Sequence, residues 1–139
     1  MQFVRRFAAL LACAALAGCG AGSAAKAPVK GKVVASGQPV TAGTVMFAPV
    51  GGQDKAVAVA GQIQTDGTFV MSTDRAGDGV AIGKHQVSYS APDSEVTETT
   101  DGSDPIVKLS PYVNLVVQQP DVEVKAGQND LTIELVPRQ

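Results

Sequence analysis

The chain has 139 residues, 11 basic and 13 acidic, with one histidine and no tryptophan. That length holds one domain and a leader. The acidic balance argues against a nucleic-acid partner, and the lack of tryptophan argues against an aromatic platform for sugars.

The leader is legible first. Arg5 and Arg6 form a basic start, and Phe7 to Leu16 is an apolar run too short to span a bilayer as a helix. It ends in Leu16-Ala17-Gly18-Cys19, which resembles the lipobox of bacterial lipoproteins. The resemblance implies a signal peptide over residues 1–18, with Leu16, Ala17 and Gly18 read by the signal peptidase. It also implies a diacylglyceryl group on the Cys19 sulfur and an acylated amine. Cys13 fits the pattern less well, leaving six apolar residues after Arg6, and an ordinary secretory cleavage nearby is the alternative. Gly20 is not the aspartate that retains many lipoproteins in the inner membrane, so the outer membrane is favoured. Without the leader, 9 basic and 13 acidic residues give a net charge of −4, unsuited to anionic membrane surfaces. Cys19 is then the one cysteine, which leaves no internal disulfide.

Residues 19–28 are small and without period, as expected of a lipidated tether to a domain over 29–137. Strands follow by period-two alternation. Val29, Gly31 and Val33 share a face within Val29 to Ala35, and Val45 and Phe47 within Thr44 to Pro49. A third strand over Ala56 to Thr65, bulged near Gly61, is expected to pair with Thr68 to Ser72 in a hairpin through Asp66-Gly67. Thr73 to Gly83 reads as a glycine-rich loop. In the next strand His85, Val87 and Tyr89 share a face. Ala91 to Pro105 carries Asp93, Glu95, Glu98, Asp101 and Asp104 and no cation, and reads as an exposed, mobile loop. Val113 to Val117 reads as an edge strand or one broken by loop. Val122 and Val124 are expected to form a closing hairpin with Leu131, Ile133 and Leu135 around Lys125 to Asn129. The fold class is therefore all-β, a single antiparallel sandwich of seven or eight strands, with a small barrel not separated by period.

Gly31-x-Val33, Gly37-x-Pro39, Gly43-x-Val45-x-Phe47-x-Pro49, Thr65-Asp66-x-Thr68-x-Val70, Gly77-Asp78-Gly79, Gly83-Lys84 and Val124-x-x-Gly127-x-Asn129 together resemble a known pattern. It is that of small bacterial envelope lipoproteins with a carboxypeptidase-regulatory-like, transthyretin-like domain, over residues 29–136. The resemblance implies a prealbumin-like or Ig-like sandwich and a non-catalytic accessory or structural role. Two positions depart from it: His85 stands where the family carries an aromatic, and Val113 to Pro120 replaces a leucine-bearing stretch.

Among candidate sites, His85 is either a titrating or metal-binding group or a space-filling member of its strand face, and the second reading is favoured. Asp74 and Asp78, four apart among glycines, suit either Ca²⁺ or turn capping, and capping is favoured. The acidic run has the same two readings. No Gly-x-Ser-x-Gly elbow is present, and no carboxylate pair lies in a recognisable frame. The expectation is a non-enzymatic, monomeric, lipid-anchored envelope protein that binds an envelope protein or polymer. A hydrolase or a small-ligand carrier of transthyretin type is the alternative.

Overall fold

The computed structural model describes residues 24–52, 55–97 and 104–139, and every regular element among them is a β-strand. The leader and Leu16, Ala17, Gly18 and Cys19 lie outside the described residues. In chain order the strands are β1 (Lys26–Ala27), β2 (Val29–Ala35), β3 (Gln38–Pro39), β4 (Thr44–Pro49), β5 (Val59–Gln62), β6 (Thr68–Val70) and β7 (Val80–Ala81). There follow β8 (Gly83–Ser90), β9 (Glu95–Thr97), β10 (Ile106–Lys108), β11 (Leu115–Val117), β12 (Asp121–Val124) and β13 (Asn129–Pro137).

One sheet places β11, β13 and β2 side by side, with β6 and β3 sharing the outer edge of β2. The facing sheet runs β12, β8, β4, β5. The result is a β-sandwich with four strand positions in each sheet. The alternating residues meet inside it: Val33, Phe69 and Leu135 from one sheet, Val45, Phe47 and Val87 from the other. Phe47 and Phe69 tilt against each other with centroids 6.3 Å apart, joining the layers.

Both expected hairpins are corrected. After β5 the chain turns at Asp66-Gly67 but crosses to the opposite sheet, where β6 pairs with β2. After β12 it crosses again, so β13 lies beside β2, and parallel to it. The expected all-antiparallel pairing thus has a parallel exception. Alternation reports which side chains face inward, and the inward faces of two packed sheets look alike in sequence. The turn chemistry itself is as expected at Gly67, which takes a φ of 83°, while Asp66 accepts the Thr68 amide at 2.9 Å.

Other segments are also corrected. Gly61 sits in regular register opposite Val45, and a β-carbon there would lie 2.6 Å from the Met71 sulfur, so it makes room rather than a bulge. The chain joins the domain before residue 29: β1 pairs with β7, and Ala27 is buried. The loop expected over 73–83 therefore contains a strand. So does the acidic loop, whose β9 pairs with β10. β11 is an edge strand on β13, as one of the two readings had it.

Register also gives the sandwich two distinct ends. Pro28, the start of β13, the turn after β12 and the start of β8 lie together at the near end, where the described chain begins. Ser90, Thr44 and Pro137 lie at the far end, from which β9 and β10 emerge. A strand as long as β13 separates them by roughly 30 Å at about 3.3 Å per residue.

Candidate functional site

At the near end the predicted pair of aspartates does converge. Lys26 Nζ donates to Asp78 Oδ2 at 3.0 Å and also to Asp74 Oδ2. Asp78 accepts the Thr73 amide at 2.7 Å and the Asp74 amide at 3.0 Å. The Thr73 amide above all, then the Asp74 amide and the Lys26 ammonium, hold the Asp78 carboxyl well below the usual carboxylate range. The same carboxylates hold Lys26 above its ordinary value. Ca²⁺ wants six or more oxygens; here the cation between the acids is Lys26, and backbone amides occupy Asp78. Among the described residues no third acid, histidine or cysteine joins them. The Ca²⁺ reading gives way to a clamp that fastens the 73–79 loop onto the incoming chain. Gly79 completes it: its φ is 81°, and a β-carbon would lie 1.7 Å from the Ala27 carbonyl oxygen. Asn129 adds a second fastening, its amide nitrogen donating to the Lys125 and Gly127 carbonyls at 2.9 and 3.1 Å and its backbone to Pro28 at 3.0 Å.

His85 is the one buried polar side chain among the described residues, 1% exposed. Nδ1 lies 3.1 Å from the Gly83 carbonyl, the ring tilts on Phe47 at 6.1 Å, and Nε2 has no hydrogen-bond partner. The ring fills space in the core, as the favoured reading expects, and is buried more fully than the half-burial it assumed.

The far end holds what the sequence reading passed over. β9 and β10 form a two-stranded ribbon separate from both sheets, with all six residues exposed. Val96, Ile106, Val107 and the adjoining Leu109 are 54–62% exposed. At the ribbon's base a cleft of about 400 Å³ is lined by Thr41, Pro92, Asp93, Lys108, Leu109 and Tyr112, among others. Its floor is held in place: the Tyr89 hydroxyl donates to the Ala42 carbonyl at 3.0 Å, and the Tyr112 hydroxyl lies 3.2 Å from Thr41 Oγ1. Burial, with a smaller contribution from Tyr112, pushes the Tyr89 hydroxyl up to about 12. Lys26 and the apolar ribbon residues are the features that sequence reading missed. Lys26 sits in a run of small residues that reads as tether, and five acids mask the short apolar pairs beside them.

No family model matches the chain, and no curated protein does. Among solved structures the chain is similar to a DUF3823 family protein from Parabacteroides merdae, at 15% identity and a TM-score of 0.46. The match covers 83% of this chain and 48% of that one, so the chain spans about half the length of the structure it resembles.

Proposed function

We propose that the protein is a lipid-anchored, non-catalytic β-sandwich of the bacterial envelope that works by binding, in the manner of the transthyretin-like accessory domains it resembles. The observation that carries this reading is the division of labour between the ends. The chain enters at the near end and is fastened there by Lys26, Asp78 and Asn129, while exposed apolar residues gather at the far end. With lipid on Cys19, the seven residues from 19 to 25 reach at most about 25 Å. The near end would then face an outer membrane and the ribbon would point away from it.

A hydrolase wants carboxylates and a titrating group converging in a cleft. The carboxylates that converge here are bridged by Lys26, and His85 packs on Phe47. Both arrangements serve shape, which favours binding over chemistry. Labelled fatty acid fed to cells should appear on the native protein and vanish from Cys19→Ala. Label that persists on the variant sinks the anchor.

A further inference from the structure

We infer that the β9–β10 ribbon docks an extended, cationic and apolar segment of a partner protein, which adds to it edge-on as a third strand. This names the partner class for the binding role proposed above and rests on that reading. In the ribbon, Val107 lies opposite Val96, Lys108 opposite Glu95, and Ile106 opposite Thr97. Opposed residues of an antiparallel pair share a face, so one face carries Val96 and Val107 and the other Glu95, Thr97, Ile106 and Lys108. Leu109 continues the alternation of the valine face, and Asp93 and Asp104 that of the other. No strand among the described residues covers the outer edge of β9 or β10. A two-stranded ribbon alone in water is at best marginal, and an open edge is a template for a further strand.

An incoming strand that alternates apolar and basic residues matches either edge: apolar beside Val96 and cations beside Asp93 and Glu95 on β9, or apolar beside Val107 and a cation beside Asp104, at the end of β10 away from Lys108. Charge also decides against the other occupants. The described ribbon and its flanks carry Asp93, Glu95 and Asp104 against Lys108, so a second copy of the ribbon, or an anionic lipid surface, would meet like charge. The ribbon also stands at the end opposite the one where the described chain begins, away from the membrane that the proposed anchor would reach.

The test uses the full-length protein as it is isolated from cells fed labelled fatty acid, in nonionic micelles, with fluorescent octapeptides of alternating Val-Lys, Val-Glu and Ser-Lys read by anisotropy. Val-Lys should bind, with the other two at least about tenfold weaker, a difference of 1.4 kcal/mol. Val107→Pro, which removes a backbone N–H from the ribbon, should weaken Val-Lys by a similar factor. Glu95→Gln with Asp104→Asn should weaken it and flatten its salt dependence. Asp130→Asn, at the near end, should leave it unchanged. Equal binding of all three peptides, or no effect of either ribbon variant, overturns the assignment. Val107-dependent self-association, or Val107-dependent binding to phosphatidylglycerol vesicles, overturns it in favour of a second copy or lipid. Fatty-acid label on Cys19 without peptide binding defeats the ribbon and leaves the anchor. Peptide binding without label does the reverse.

Discussion

Val33 and Val107 are the same side chain in the same kind of strand, yet one is fully buried and the other 54% exposed. Val33 lies in β2, flanked by β13 on one edge and by β6 and β3 on the other, under a second sheet. Val107 lies in β10, with β9 beside it and neither main sheet extended to it. Alternation makes an amphipathic strand; only a second layer makes that face a core. The two regions therefore differ in kind, one holding the shape and the other leaving its apolar side chains exposed.

The largest effect expected is on the shape side. Phe47→Ala removes the ring that meets both Phe69 and His85, and should cost about 3–5 kcal/mol in urea unfolding. A loss below about 1 kcal/mol would mean the layers are not joined there. His85→Phe tests the same core with the opposite sign. Replacing a ring whose Nε2 is buried and unpartnered should stabilise by about 1–2 kcal/mol, read as a higher urea midpoint at unchanged slope.

Tyr89→Phe probes the seam between the regions and should cost about 1 kcal/mol, the hydrogen bond to Ala42. Its pH dependence is distinctive. The folded protein holds the Tyr89 proton up to about 12 against an ordinary 10.0, so that stabilisation is complete below pH 10 and lost as pH rises through 12. The phenylalanine variant should lose less stability than the parent across that window. Smallest of all, Val107→Thr should change stability by less than about 0.5 kcal/mol. A cost like that of a core valine would break the comparison, because the ribbon would then belong to the core.

Much of this was legible in the sequence, and the limits have a physical cause. Val29, Val33, Val45, Phe47, Phe69, Met71, Val87 and Ile133 alternate with more exposed neighbours and are buried as period-two strands require. Gly127-x-Asn129 reads as a turn, and Asn129 closes it with its own amide. Pairing was not legible. The Asp66-Gly67 and Lys125–Asn129 turns look like hairpin turns, but each carries the chain across the sandwich. A turn's chemistry fixes the reversal locally, whereas the choice of sheet depends on packing between residues far apart in the chain. The clamp was half legible: Asp74 and Asp78 stand out among glycines, but nothing local marks Lys26, which reaches Asp78 across 52 residues. The ribbon was hidden because acidic density outweighs Val96, Ile106 and Val107 in any average over that stretch.

Native-state hydrogen exchange on the free, full-length protein tests the division between shape and contact most directly. Amides of β2, β4, β8 and β13 should exchange only at the free energy of global unfolding, while those of β9 and β10 exchange through small local openings, well below it. Protection of the ribbon equal to that of β2 would contradict the account, because its apolar residues would then be held by the fold and not left for a partner.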